Sequence, residues 1–379
     1  MTAINKWASA VKLLSGAVFI ISALSKLVTV DSFEMYVYSF GLFPMVPCFY
    51  LTRLLIGAEL LLGVSLISHR NHRFTTITSL LFLLFFIVFL VYAQMIGRTD
   101  SCHCFGDLLP FNPVQSMLKN AVMILLLLFV YKYGAHEWHP RWWLVVVIYL
   151  VVTVAFAFFS IRILHALDFR SLVLMAVALA MGLLASFPFY SRWWVTTPLV
   201  LAPFVATFIL SPPDNWFHHE GNARFDKELF LSQIKGEEQV GDSIPLIEMP
   251  DGDSDTVALD ELATLGLESG KHLVAFFSPT CGFCRLAAEK ITTIAKRYDV
   301  DSSMIMYVFP NGFEQEKYDD FYRRANSCVF GEARIDRDIF IRITRASFPG
   351  IVLVDDGEIV ASYAYRSIDE KTISEFLTK

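Results

Sequence analysis

Seven apolar runs separated by short polar breaks fill the first 211 positions, at about 9–30, 51–68, 75–97, 114–133, 142–161, 171–190 and 194–211. Crossing about 30 Å of hydrocarbon takes roughly 20 helical residues, so the pattern predicts a polytopic α-helical membrane domain of about seven transmembrane helices. The first run, SAVKLLSGAVFIISALSKLV, lacks a small-residue cleavage site and reads as a retained helix rather than a signal peptide. SFPFYSRWW, between the sixth and seventh runs, fits a re-entrant turn as well as a connecting loop. After Ser211 a polar stretch opening on two prolines predicts a tether with one short helix, up to about residue 240. From Gly241 the pattern turns to short strands alternating with helices. SIPLIEM and TVAL around DGD predict a hairpin, HLVAFFS and MIMYVF buried strands, 282–297 and 315–324 helices, GIVLVDDGEIVASYAY a second hairpin turning at DDG, and SIDEKTISEFL a last helix. The expected organisation is therefore 1–134, a four-helix membrane domain; 135–211, three further spans; 212–240, the tether; and 241–379, an α/β domain.

Composition separates the two halves further. Apolar residues make up 55% and charged residues 18% of the chain, against about 45–50% and about 25% in soluble proteins. Up to Ser211 there are 13 Lys and Arg against 7 Asp and Glu, and beyond it 18 against 30, leaving net charges of +6 and −12. Neither half carries the basic stripe that nucleic acid requires. Lys6, Lys12, the loops SHRNHRF and KYGAHEWHPR, and Arg192 alternate onto one side, which the positive-inside rule makes cytoplasmic. The opposite loops carry Asp31, Glu34, Asp100, Asp107 and Asp168, diluted by Arg98, Arg162 and Arg170. With seven crossings the N-terminus is cytoplasmic, and the α/β domain and the loop SCHCFGDLLP lie outside, at a cell (inner) membrane facing the periplasm.

The cysteines, at 48, 102, 104, 281, 284 and 328, carry the candidate chemistry. In FFSPTCGFC, Cys281 stands where a helix begins, and unpaired N–H groups with the helix dipole favour a thiolate there. Cys284, one turn on, is placed to resolve a mixed disulfide. The motif, the order of elements and SFPGIVLVDDGEIV together resemble the thioredoxin-like family, of the thiol–disulfide oxidoreductase type, over roughly the last 140 residues. That resemblance implies redox activity at Cys281 and Cys284 and a cis peptide at Phe348–Pro349 beside them. It departs from many members in continuing RLAAEKI after the motif, without proline. A zinc site is disfavoured because no second CxxC or His pair supplies ligands, and no metal is expected. Cys328 reads as a buried small apolar residue.

The other close pair, Cys102 and Cys104, can bridge only through a small strained ring, which makes a labile disulfide. Cys48, in FPMVPCFY, is a third thiol on the same predicted face and a candidate partner for either. SALSKLV, FEMYVYSFGLFP, TRLLIGAELLLGVSL with Arg53 and Glu59, and CHCFGD followed by Asn120 resemble the MauE/DoxX-like membrane family, named for methylamine utilisation, over about 10–134. Against a redox role for CHC stand a metal reading with His103 and an inert clip. Lys26 and Arg53, near the predicted outer ends of their helices, are expected to snorkel. Glu59 lies deeper and reads either as an ion-pair partner of Lys26 or Lys119, or as part of a proton or quinone site. Gln94 and Asn120 are expected to hydrogen-bond between helices, and Trp142, Trp143, Trp193 and Trp194 to anchor at the interface.

These readings combine into a membrane thiol–disulfide oxidoreductase whose CGFC site exchanges electrons with CHC at the membrane rim. Its partners are extracytoplasmic clients bearing thiols or disulfides, and a membrane quinone is the expected acceptor on an oxidising route. The alternative is an accessory factor that matures the disulfides of one partner enzyme. A permease with a fused redox sensor lacks a polar path through its helices.

Overall fold

The computed structural model describes residues 3–68, 72–97, 111–134, 142–164, 168–185, 193–217, 225–236 and 260–379, and the chain divides into two units, Met1–Pro213 and Asp214–Lys379. The first unit is helical: α1 (Ala3–Val28), α2 (Val30–Tyr38), α3 (Met45–Ile67), α4 (His72–Met95), α5 (Pro113–Tyr133), α6 (Trp142–Leu164), α7 (Phe169–Ala185) and α8 (Trp193–Leu210). Four helices among the described residues, α1, α3, α4 and α5, are long and apolar enough to cross a bilayer. The described apolar stretches of α6, α7 and α8 run Val146–Arg162, Phe169–Leu184 and Thr197–Leu210 and are shorter, so the structure does not establish the expected seven crossings. Apolar side chains face outward all along these helices, Leu81, Phe85 and Val88 of α4 among them, as lipid contact requires.

Small residues allow the central helices to meet. A Cβ on Gly63 would lie 2.7 Å from Ile20 Cγ1 and 2.9 Å from the Gly16 carbonyl oxygen, so α1 and α3 cross backbone against backbone. Gly57 of α3 does the same for α8, where a Cβ would lie 2.7 Å from Phe204 Cδ1. α2 was not foreseen, because nine residues are too few to read as a span. It buries Phe33, Tyr36 and Tyr38. Tyr36, Phe40 and Phe89 pack ring on ring, with Phe40 and Phe89 centroids 4.6 Å apart.

The second unit is built on a five-stranded sheet of β1 (Lys271–Phe276), β2 (Ile305–Pro310), β3 (Gly331–Ile335), β4 (Gly350–Asp355) and β5 (Glu358–Tyr363). The strand order is β3-β2-β1-β4-β5, with β1, β2 and β3 parallel and β4 and β5 antiparallel to their neighbours. α10 (Gly282–Tyr298), α11 (Gln315–Ala325), α12 (Arg337–Thr344) and α13 (Glu370–Thr378) complete it. Alternate side chains serve the two faces of the sheet. Val274, Phe276, Val308, Val352 and Val354 pack in one core with Phe340 of α12, while Phe277, Tyr307 and Phe309 pack with Phe321 of α11 on the other.

Two expectations are corrected here. The region read as tether contributes to this core: α9 (Lys227–Ile234) and the residue before its cap bury Phe225, Leu229, Phe230 and Ile234 against the sheet. Its amphipathic spacing carried that information, but its polar neighbours outweighed it. β3 and α12 were missed as well, because GEARI is short and polar and RDIFIRIT is only two turns long. The hairpin expected in 244–259 lies outside the described residues.

Candidate functional site

Cys281 is the N-cap of α10. Its extended backbone (φ −80, ψ 122) aims the sulfur back along the helix, where it accepts a hydrogen bond from the Cys284 N–H at 3.3 Å. The sulfur thus stands where capping residues usually place an oxygen. The Cys281 thiol is pulled down from its ordinary 9.0 to about 6, first by hydrogen bonding from the Cys284 thiol, then by the N–H groups of Cys284 and Phe283 and the charge of Arg285, against the cost of partial burial. Cys284 is 0% exposed and is pushed well above the ordinary value, by burial first and then by the neighbouring Cys281 sulfur. Both are free thiols. One sulfur is therefore reactive near neutral pH and the other is held in reserve.

Phe348–Pro349 is a cis peptide, and the Phe348 carbonyl oxygen lies 4.0 Å from the Cys281 sulfur. Phe283, 48% exposed, and Phe348 present apolar surface around the thiol. Arg285 was not singled out from sequence, although it directly follows the motif. Its guanidinium donates to the Thr280 carbonyl at 3.3 Å, which holds the charge beside the cap. Cys328 is half-buried rather than buried, and its N–H donates to Thr292 Oγ1 at 3.3 Å.

The membrane unit holds a second polar cluster. Lys26, 1% exposed, donates to both carboxylate oxygens of Glu59 at 2.7 and 2.8 Å and to Ser22 Oγ at 2.8 Å. Its ammonium also lies 5.6 Å from the Phe33 and 5.7 Å from the Phe86 ring centroid. Arg53, 0% exposed, bonds Glu34 of α2, the Phe49 carbonyl at 2.7 Å, and at the end of α8 the Ser211 and Pro212 carbonyls at 2.5 and 3.0 Å. Neither cation snorkels. A helical side chain leans toward the N-terminus of its helix, and in Lys26 that direction leads back to Ser22 and the Glu59 carboxylate. Of the two readings of Glu59, the ion pair with Lys26 is present. A cavity of about 20 Å³ adjoins it, lined by Ser22, Lys26, Glu59, Lys119, Asn120 and the rings of Phe82 and Phe86. That is room for about one water.

Cys48 is buried in the first turn of α3, its sulfur 3.8 Å from the Phe43 carbonyl oxygen. Cys102, His103 and Cys104 lie outside the described residues, and nothing is described of the Trp142, Trp143, Trp193 and Trp194 side chains. Gln94, expected to bond between helices, is exposed, whereas Asn120 is buried at the cavity.

Residues 4–133 match the family model described as Methylamine utilisation protein MauE. Protein TlpB of Flavobacterium psychrophilum is 24% identical over 330 residues, covering 84% of this chain and 80% of its own. Among solved structures, the thioredoxin domain of a thiol-disulfide oxidoreductase from Bacteroides vulgatus is 20% identical, covering 29% of this chain and 81% of its own, at a TM-score of 0.25. A thiol:disulfide interchange protein from Bacteroides sp. is also 20% identical, covering 31% and 78%, at a TM-score of 0.26. The strand order, the cis proline and the CGFC cap define the second unit as thioredoxin-like. The chain joins an N-terminal membrane region matching the MauE family model to that thioredoxin-like domain, and its several apolar helices make it a multi-pass membrane protein.

Proposed function

We propose that the chain is a membrane-bound thiol–disulfide oxidoreductase that relays electrons between Cys281 and Cys284 on one side and Cys102 and Cys104 on the other. The observation that supports this best is the division of labour at α10, an ionised Cys281 beside a buried, protonated Cys284. The Cys281 thiolate attacks a client disulfide; a new S–S bond forms, the client bond breaks, and one client sulfur leaves as thiolate. Cys284 then loses its proton, attacks Cys281 and releases the second client sulfur, so that two electrons pass to the client and a Cys281–Cys284 disulfide remains. Run in reverse, the same steps oxidise a client dithiol. Pro349, at the cis peptide beside the thiols, belongs to the surface that receives the client.

In this reading seven crossings place the thioredoxin-like domain and residues 101–110 on the same extracytoplasmic face, with the N-terminus in the cytoplasm. Cys48 is an auxiliary thiol and the candidate partner of Cys102 or Cys104. On an oxidising route the final acceptor is a membrane quinone. The matching family model is described by methylamine utilisation, and the second reading is an accessory factor that matures the disulfides of one partner enzyme.

Trapping distinguishes the two. With Cys284→Ala, mixed disulfides to many proteins indicate a general oxidoreductase, and a single captured protein indicates a maturation factor. The relay itself is tested by the redox state of Cys102 and Cys104 in cells with and without Cys281. A state that does not change rules it out.

A further inference from the structure

The stretch Arg345 to Gly350 joins α12 to β4 and carries Phe348–Pro349, whose Phe348 carbonyl oxygen lies 4.0 Å from the Cys281 sulfur. Arg345 and Ala346 both take left-handed backbone, at φ 47 and 54. Neither is glycine, so each bears the crowding of a Cβ against its own carbonyl, and such a conformation persists only where the surroundings over-determine it. The last turn of α12 does part of this. Arg345, Ala346 and Ser347 donate their N–H groups to the Arg342, Ile341 and Thr344 carbonyls at 3.2, 3.0 and 2.9 Å. The remaining carbonyl of that turn, Ile343, accepts from the N–H of Asp226 at 2.8 Å.

Asp226 and its neighbour Phe225, distant in sequence, hold the loop at both ends. Asp226 Oδ2 accepts from the Arg345 guanidinium at 3.1 Å, while Oδ1 caps α9 by accepting from the Leu229 N–H at 3.1 Å. At the other end a Cβ on Gly350 would meet Phe225 Cδ2 at 3.4 Å. The Phe225 ring is itself seated on Phe230 and Phe276, with centroids 5.3 Å away in each case. Phe348 packs on Phe340 of α12 at 6.0 Å. One pair of adjacent residues therefore grips both ends of the loop, and the peptide beside Cys281 lies between the grips.

The Asp226–Arg345 bridge is largely exposed and adds little to stability. Its consequence is geometric. We infer that Phe225 and Asp226 are positioning residues for client binding: they set where the Phe348–Pro349 edge stands relative to Cys281, and through it how well a polypeptide disulfide is received. This rests on the client reading of Cys281 and Cys284 and is independent of the relay. A disulfide too small to reach past the sulfur makes no use of that edge, so the clamp separates clients by size. The exchange needs no further oxidant, because the two electrons that the client disulfide gains are those that Cys281 and Cys284 lose in forming their own.

The experiment uses the full reduced chain in lipid nanodiscs, under single turnover. Peptide mass mapping follows formation of the Cys281–Cys284 disulfide against increasing insulin, a polypeptide disulfide, and against cystamine, a small one. Asp226→Ala removes both carboxylate bonds and leaves the backbone N–H in place. The insulin concentration at half-maximal rate is expected to rise about fivefold, the factor that a lost N-cap carries, while the maximal rate and the cystamine rate stay the same. Asp226→Asn keeps an acceptor for the Leu229 N–H and is expected to fall between wild type and Asp226→Ala; it also carries the test if the alanine variant does not fold. An unchanged insulin dependence overturns the inference. So does a cystamine rate that falls in step with the insulin rate, since that marks a general loss of structure. A parent chain that reacts with cystamine and not with insulin removes the client reading, and the inference with it.

Discussion

Replacing Cys284 by Ala removes the group that contributes most to holding the Cys281 thiol at about 6. At that value about nine-tenths of Cys281 is thiolate at pH 7. A hydrogen bond to a charged group is worth about 1.5–3 kcal/mol, and one pKa unit corresponds to about 1.4 kcal/mol. Losing the Cys284 thiol should therefore move the Cys281 titration upward by about one to two units, toward the lower end because the sulfur is partly solvated. It should not return to 9.0, because the N–H groups of Cys284 and Phe283 and the charge of Arg285 survive the substitution. The sign is fixed: a thiol whose ionised form loses a donor titrates at higher pH, so the variant's reactivity at pH 6–7 falls while its reactivity at pH 9 is retained. The assay is the pH dependence of iodoacetamide alkylation at Cys281, resolved by peptide mass spectrometry in the full chain. An inflection that stays at the wild-type position would show that the Cys284 thiol contributes nothing. An inflection at the ordinary thiol value would show that the helix terminus contributes nothing.

Two further predictions concern the membrane unit. Lys26→Met leaves Glu59 charged and buried and should cost about 3–5 kcal/mol, most of which Lys26→Met with Glu59→Leu should restore; equal thermal unfolding of the single variant and the wild type in detergent would contradict the buried pair. Gly63→Ala places a Cβ 2.7 Å from Ile20 Cγ1 and should lose about 1–3 kcal/mol by forcing α1 from α3, and an unchanged unfolding midpoint would refute the close crossing.

What the sequence disclosed followed from how local the signal was. CGFC at a strand-to-helix junction identified the cap because the helix terminus and both thiols lie within four residues. DDG gave the β4–β5 turn for the same reason, with Asp356 and Gly357 at positive φ. Lys26 and Arg53 were misjudged because their distance from a helix end does not reveal which way a long side chain turns. That choice depended on Ser22, Glu59 and Glu34, two of them on other helices. Asp214 was read as the start of a tether because its partners, Lys290 and Arg366, stand 76 and 152 positions away. Short elements such as α2, β3 and α12 have too few residues to establish a period, and tertiary packing defines them.

The seam where α1 meets α3 has a consequence for how the bilayer keeps its charge. Gly16 and Gly63 bring two backbones together so closely that neither tolerates a methyl group, and a joint without room for one carbon has none for a file of water molecules. At that crossing ions gain no conduit between the two helices. Whatever electrons the chain handles, the membrane's insulation at this joint is left intact.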